Sequence, residues 1–311
     1  MSENLQLVRD VIVQTITRGI PFSEEVFPTE PPIDEPVELG RGLWIGSLGL
    51  DTVNMVFDAC GQRGLKFDQT WRFPSHYCFV REQIVSGVPS IKWDEDGELQ
   101  KCINLSRLIH PTTISTRFSA RLIYQNDTSD ILSKIVPLGP RGMGDSAWIK
   151  ETGRRDWLTN NEARELAGLV AVYDFNSMPP RVRRAMNYFQ YACLTYHPDV
   201  RLTLVVTGLE ALANTSRGRR DDVPVTAQFT KRIEIISHEV GMPVSKTCLG
   251  KAYGYRSSVV HGQEQGINAK FNKLSEVVET LLRKIVRKCA EDLSFSRHFE
   301  NVEAIQKMYP L

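Results

Sequence analysis

Residues Asp199 to Asn214 read DVRLTLVVTGLEALAN, and this stretch decides the fold class. Leu202, Val205, Val206, Leu209 and Ala213 recur with the period of a helix that buries one side. Beside them Thr203, Thr207, Glu210 and Asn214 are spaced i, i+4, i+7 and i+11, so a narrow polar seam runs along a hydrophobic helix. The flanking chain supplies helices of the same kind. Upstream, Pro179 and Pro180 open a helix to about Tyr196, because proline lacks only an amide that the first helical turn leaves unused, and His197-Pro198 closes it. Before that, Thr159-Asn160-Asn161-Glu162 is a capping-box pattern that starts a helix to about Tyr173. Downstream, Val225 to Val240 presents Phe229, Ile233, Ile236 and Val240 and stops at Gly241-Met242-Pro243. Ser245 to His261 forms a fifth helix. Lys270 to Leu293 is expected as the last and longest, with Phe271, Leu274, Val278, Leu281, Ile285 and Cys289 on one face. The second half is therefore read as a helical bundle.

The first half reads differently. Thr116 to Gln125 partly alternates, with Phe118, Ala120, Leu122 and Tyr124 on one side and Arg117, Ser119 and Arg121 on the other, which suits a half-buried strand. Asp94-Glu95-Asp96-Gly97 carries the Asp-Gly turn signal between Ser90 to Trp93 and Leu99 to Leu105, and a hairpin is expected there. One helix is expected over Leu50 to Arg63, and Pro28 to Pro36 reads as a linker or extended arm. Pro137 to Arg155 is dense in glycine and arginine and serves as the boundary. The expected architecture is two domains: a mixed α+β, strand-rich amino-terminal domain over 1–156 that senses or binds something, and an all-α domain over 157–311.

Charge and composition support that division. The 311 residues are 41% hydrophobic and 24% charged, with 38 Lys plus Arg against 37 Asp plus Glu, which is ordinarily globular. Met1 to Asp156 holds 17 basic and 21 acidic residues, leaving 21 and 16 for Trp157 to Leu311, so the helical half carries the positive balance. No apolar run approaches the roughly 18 residues of a membrane span, and a cytoplasmic protein with no membrane partner is expected. Cys60, Cys78, Cys102, Cys193, Cys248 and Cys289 lie far apart without a C-x-x-C pair, which reads as reduced thiols and no metal site. Neither G-x-G-x-x-G nor a P-loop, G-x-S-x-G or H-E-x-x-H is present, and no cofactor is expected.

The segment that can carry chemistry is Lys251-Ala-Tyr-Gly-Tyr-Arg-Ser-Ser-Val-Val-His-Gly262. It places Arg256 and His261 five residues apart at a helix end, with Gly262 suited to the cap. On an unbroken helix the two side chains point about 140° apart. Arg256 to His261 resembles the R-x4-6-H motif of HEPN domains, and its surroundings resemble the Apea-like branch of that family. The supporting stretches are Asp199 to Ala213, Gln228-Phe229 followed by Arg232, and Tyr255 to Gly262; together the likeness covers Trp157 to about Leu293. The resemblance implies an HEPN-like helical bundle, usually a homodimer, and often a metal-independent endoribonuclease of toxins and anti-phage defence effectors, with the arginine and histidine acting at a cleft between protomers. Where active members carry Asn, Asp or His after the arginine, this chain has Ser257, which can hydrogen-bond but holds no charge.

The chemistry of the residues agrees with that implication. Cleaving RNA by attack of its own 2′-hydroxyl needs a base, an acid and a cation for the charged phosphorane, and histidine with arginine meets those needs without metal. Arg256 and His261 are thus the expected catalytic pair, with Ser257 supporting. Glu210 either orients Arg256 or is a buried carboxylate paired with Arg232. Arg217, Arg219 and Arg220, in the loop after Asn214, are expected to grip RNA together with Lys251 and Tyr255, although Asp221 and Asp222 blunt the field of that loop. Arg181, Arg183 and Arg184 at a helix start oppose the macrodipole and hint at an anionic partner. Two other readings belong to different classes: a non-catalytic HEPN dimerisation or adaptor module, and a nucleotide- or nucleic-acid-binding regulatory domain.

Overall fold

The structure is a computed structural model that describes residues 5–15, 33, 35–46, 52, 55, 58–59, 76–86, 97–110, 118–124, 132–139, 158–195, 197–214, 223–263 and 266–311. It divides into two compact units, Met1–Ala171 and Val172–Leu311. The first is built on an antiparallel sheet and the second on helices, so the chain has the mixed two-domain arrangement.

In the first unit six strands, β1 Leu5–Thr15, β2 Val37–Gly40, β3 Leu43–Gly46, β4 His76–Ser86, β5 Phe118–Tyr124 and β6 Leu132–Gly139, pair in the order β2-β3-β4-β1-β5-β6. Every pairing is antiparallel. The register sets Asp10 of β1 opposite Arg121 of β5, and the guanidinium grips the carboxylate through Nε at 2.5 Å and Nη2 at 2.7 Å. Both side chains are buried, so each satisfies the other's charge where water cannot. The expectation of a half-buried β5 is corrected by this pair, because Ala120 to Tyr124 are all buried. Arg121, on the polar side of the strand, is buried together with its partner.

The expected hairpin at Asp94 to Gly97 is also corrected. Glu98–Ile109 is a helix, α1, and Gly97 caps its amino end in the left-handed conformation at φ 66°. Asp-Gly chemistry is shared by hairpin turns and helix entries. The arbiter is the chain beyond it, where Leu99, Cys102, Ile103 and Ser106 are buried at helical spacing. Thr52, Met55, Asp58 and Ala59 are helical, in keeping with the helix read over 50–63. Ser90 to Trp93, most of Pro28 to Pro36, and the boundary segment after Gly139 lie outside the described residues.

Helix α2, Asn160–Val172, begins at the expected capping box: Thr159 N donates to Glu162 Oε2 at 2.9 Å and Glu162 N to Thr159 Oγ1 at 3.3 Å. The same glutamate lies 3.3 Å from His110 Nδ1, just beyond α1. That contact ties the start of α2 to the first unit, whereas the sequence boundary assigns it to the helical half.

The second unit contains α3 Pro180–Leu194, α4 Pro198–Ala213, α5 Val225–Glu239, α6 Lys246–Val260 and α7 Ala269–Glu291. Helix α4 packs on all four others. Its stripe of Leu202, Val205, Val206, Leu209 and Ala213 is fully buried, as the periodicity requires. Gly208 lets α7 approach: a Cβ there would lie 2.7 Å from Leu282 Cδ2 and 3.4 Å from the Ala185 carbonyl. The carbonyl end of α4 is held by two guanidinium groups. Arg181 donates to Ala211 O at 3.0 Å and Asn214 O at 2.7 Å, and Arg232 donates to Ala213 O at 2.9 Å and Tyr309 O at 3.0 Å. Arg181 therefore serves the negative end of a neighbouring helix, and its placement against its own macrodipole has that cause. Arg183 lies over the Phe175 ring at 5.3 Å.

Helix α7 is the longest but not the last. Leu293–Ser296 (α8), the 3-10 turn Arg297–Phe299 and Val302–Met308 (α9) follow it. Asp292 and Asn301 cap the two helices, and Phe295, Phe299 and Tyr309 are buried there. Among the described residues no helix is long and apolar enough to cross a membrane.

Candidate functional site

Helix α6 starts with Ser245, whose hydroxyl accepts from Cys248 N at 3.3 Å. Of its fifteen residues only Leu249 and Ala252 are buried. In its carboxyl half Tyr253 and Tyr255 to Val259 are half-buried and Val260 is exposed, so side chains reach the surface. The helix stops in a Schellman turn: Gly262 takes φ 73°, Gln263 N donates to Ser258 O at 2.9 Å and Gly262 N to Val259 O at 3.0 Å. His261 is the last residue before that glycine and is exposed.

Arg256 reaches from α6 to the seam on α4. Its Nη2 lies 3.0 Å from Glu210 Oε2, with side-chain exposures of 26% and 13%. Of the two partners weighed for Glu210, the carboxylate takes Arg256, and Arg232 is engaged by the Tyr309 and Ala213 carbonyls and by Gln228 Oε1 at 3.3 Å. Asn214 Nδ2 donates to Glu210 Oε1 at 3.4 Å. The other two members of the seam are used locally, since Thr203 and Thr207 donate to carbonyls one turn back, Asp199 O at 2.9 Å and Thr203 O at 2.7 Å. At the carboxyl end of the seam Glu210 meets α6 through Arg256.

A residue that the sequence reading passed over completes this cluster. Tyr253 stands one turn before Arg256, with its ring centroid 5.9 Å from the guanidinium carbon and 5.2 Å from that of Phe229. Burial, followed by the Glu210 charge, raises its pKa. The i, i+3 spacing of Tyr253 and Arg256 was the available signal.

The remaining expected residues are distributed. Lys251 and His261 are exposed, Ser257 is half-buried beside Arg256, and Tyr255 sits edge-on to Phe271 at 5.3 Å between centroids. Arg217, Arg219 and Arg220 lie outside the described residues. Because α6 is unbroken from Arg256 to Val260, Arg256 and His261 diverge by about 140° within one chain. Among the described residues no three His, Cys, Asp or Glu side chains gather as a metal site would need. The described cysteines are free thiols, with Cys248 half-buried and Cys78, Cys102, Cys193 and Cys289 buried.

Chemically, the cluster is a cation oriented on one edge by a carboxylate. A guanidinium has five N–H donors in a fixed fork, and here one of its terminal nitrogens lies 3.0 Å from Glu210 Oε2. Such a group stabilises negative charge that develops beside it. No protein family, no curated protein and no solved structure matches the chain.

Proposed function

We propose that the helical unit is an HEPN-type, metal-independent endoribonuclease that cleaves RNA through Arg256 and His261 at a cleft formed by two copies of the chain, in the manner of a toxin or anti-phage defence effector. The observation that carries this reading is the Glu210–Arg256 contact at 3.0 Å beneath a helix end that leaves His261 at the surface. A structural cap would need neither the carboxylate drawn from a second helix nor an exposed imidazole. Arg256 serves as the cation for the phosphorane, His261 as the acid-base group, Ser257 as a neutral hydrogen-bonding neighbour, and Glu210 orients Arg256. One chain supplies one acid-base imidazole at this site, and the reaction has two proton transfers. A two-fold axis beside α6 doubles every group, because an isologous interface presents the same patch twice. The apolar side chains left exposed there, Val260 at 55% and Ile267 at 51%, suit that contact.

The first unit is the part that receives a ligand or trigger in this scheme. The adaptor alternative has one observation in its favour, that Glu210 offsets the Arg256 charge. Incubating the purified full chain with total RNA in EDTA separates the two readings. Cleavage by the wild type and its loss in His261→Ala and Arg256→Ala support the nuclease; equal cleavage by both variants, or dependence on added magnesium or manganese, contradicts it. Sedimentation of the wild type tests the dimer, and a strictly monomeric active enzyme contradicts the shared cleft.

A further inference from the structure

Glu210 offers two carboxylate oxygens, and each meets a different side chain. Oε2 lies 3.0 Å from Arg256 Nη2, and Oε1 accepts from Asn214 Nδ2 at 3.4 Å. A carboxylate turns easily about its last bond, so a guanidinium engaged by one oxygen alone follows that rotation. A donor on the second oxygen removes the freedom. Asn214 stands at the end of α4, one turn after Glu210, and its own place is fixed from two sides. Its backbone N–H donates to Glu210 O at 2.9 Å, and its carbonyl accepts from Arg181 Nη1 of α3 at 2.7 Å. The side-chain amide therefore reaches the carboxylate from a backbone that two helices hold.

We propose that Asn214 is a positioning residue of this site: its side-chain amide holds one oxygen of Glu210 so that the other keeps Arg256 in a single orientation, and RNA cleavage slows when that hold is lost. The proposal rests on the reading of Arg256 as the cation of a nuclease. The sense of the bond follows from chemistry, since a carboxylate only accepts and the reversed amide would set oxygen against oxygen. A neutral amide suits the task, because it fixes the carboxylate without competing for its charge as a second cation would. The other end of the amide tells against a purely stabilising role. Asn214 Oδ1 is enclosed and meets no hydrogen-bond donor among the described residues, an arrangement that weakens a fold. Thr203 and Thr207, on the same seam, differ in that each donates to a carbonyl of its own helix.

Asn214 has φ −83° and ψ 127°, an extended conformation open to any residue, so substitution there leaves the backbone unstrained. In the full chain, Asn214→Ala is expected to lower kcat for cleavage of single-stranded RNA about fivefold with KM within about twofold, because the lost bond acts on the transition state rather than on binding. Asn214→Leu, which keeps the volume and removes the donor, should show the same loss. In a Glu210→Gln background Asn214→Ala should change kcat by less than about twofold, since a residue that acts through Glu210 has nothing left to position. Unchanged kcat in Asn214→Ala, recovery in Asn214→Leu, or losses that simply multiply overturn the proposal. A second measurement is independent of activity. Arg256 Nε is enclosed, so hydrogen exchange at its N–H, followed by NMR and assigned by its absence in Arg256→Lys, reports how tightly the guanidinium is held. Exchange about tenfold faster in Asn214→Ala supports positioning, and unchanged exchange overturns it. A wild type that cleaves no RNA yet shows the faster exchange in the variant would sink the nuclease reading and leave the positioned arginine in place.

Discussion

Helix α4 carries an arginine–glutamate pair near each end, and the two pairs differ in exposure. Near the amino end Arg201 meets Glu279 of α7 with side-chain exposures of 6% and 2%. At the carboxyl end Glu210 meets Arg256 of α6 with 13% and 26%. The sealed pair lies almost wholly out of solvent, which is the condition of a structural tie. The half-open pair sits under the part of α6 that the core does not cover. Exposure on one side of an otherwise ordered ion pair is what lets the charge act on something else.

The largest expected effect comes from breaking the sealed pair. Glu279→Ala leaves Arg201 charged in the core and should cost about 3–5 kcal/mol, read as a shift of the chemical denaturation midpoint. Next is Gly208→Ala on the same helix, where the added Cβ meets Leu282 at 2.7 Å. The overpacking should cost about 1–3 kcal/mol in the same assay and exceed the gain from replacing a helical glycine. Arg181→Met releases two carbonyl groups at the end of α4 that carries Glu210, and is expected to cost about 1–2 kcal/mol. Glu210→Gln at the open pair should change stability by only about 0–1 kcal/mol while lowering RNA cleavage severalfold. If Glu210→Gln destabilises the fold as much as Glu279→Ala does, the two ends of α4 are equivalent and the distinction is lost.

The smallest effect is expected with alkaline pH, and it runs through phenols on both sides of the comparison. Burial first, then Asp174, pushes Tyr173 up to about 12, and burial likewise raises Tyr309 and Tyr253. A raised phenol pKa favours the neutral folded form, so its contribution is complete below the ordinary value of 10 and is lost as pH rises towards about 12. Denaturation curves across that range should show declining stability, and Tyr173→Phe should flatten the decline. A flat profile in the wild type would contradict the burial assigned to these hydroxyls.

The longer helices were legible through signals of their own: the proline start at 180, the capping box at Thr159 and Glu162, and the apolar stripe of α4. Those are local features, and local features survive into the structure unless long-range packing overrides them. At Gly97 the turn dipeptide carried weight that belonged to the residues after it, whose helical period becomes plain only when the reading extends to Ile109. The two helices after α7 were missed because neither exceeds seven residues, too short for a period to register. In the site, Arg256 and Glu210 were legible as a motif and a polar seam. The task of Arg181 was not, since it answers to carbonyl groups of the next helix, 30 and 33 residues away in sequence. Tyr253 was overlooked for the opposite reason, lying one turn from the motif among other aromatic residues.

The central claim is chemical, and the ends of the product test it most directly. A defined single-stranded RNA is incubated with the full chain in EDTA, and the new termini are identified by mass spectrometry, beside a substrate carrying 2′-deoxyribose at the cleaved position. Attack by the neighbouring 2′-hydroxyl predicts a 2′,3′-cyclic phosphate and a 5′-hydroxyl, no cleavage of the deoxy-substituted strand, and loss of both products in His261→Ala. A 3′-hydroxyl with a 5′-phosphate, or unchanged cleavage of the deoxy substrate, would contradict the account.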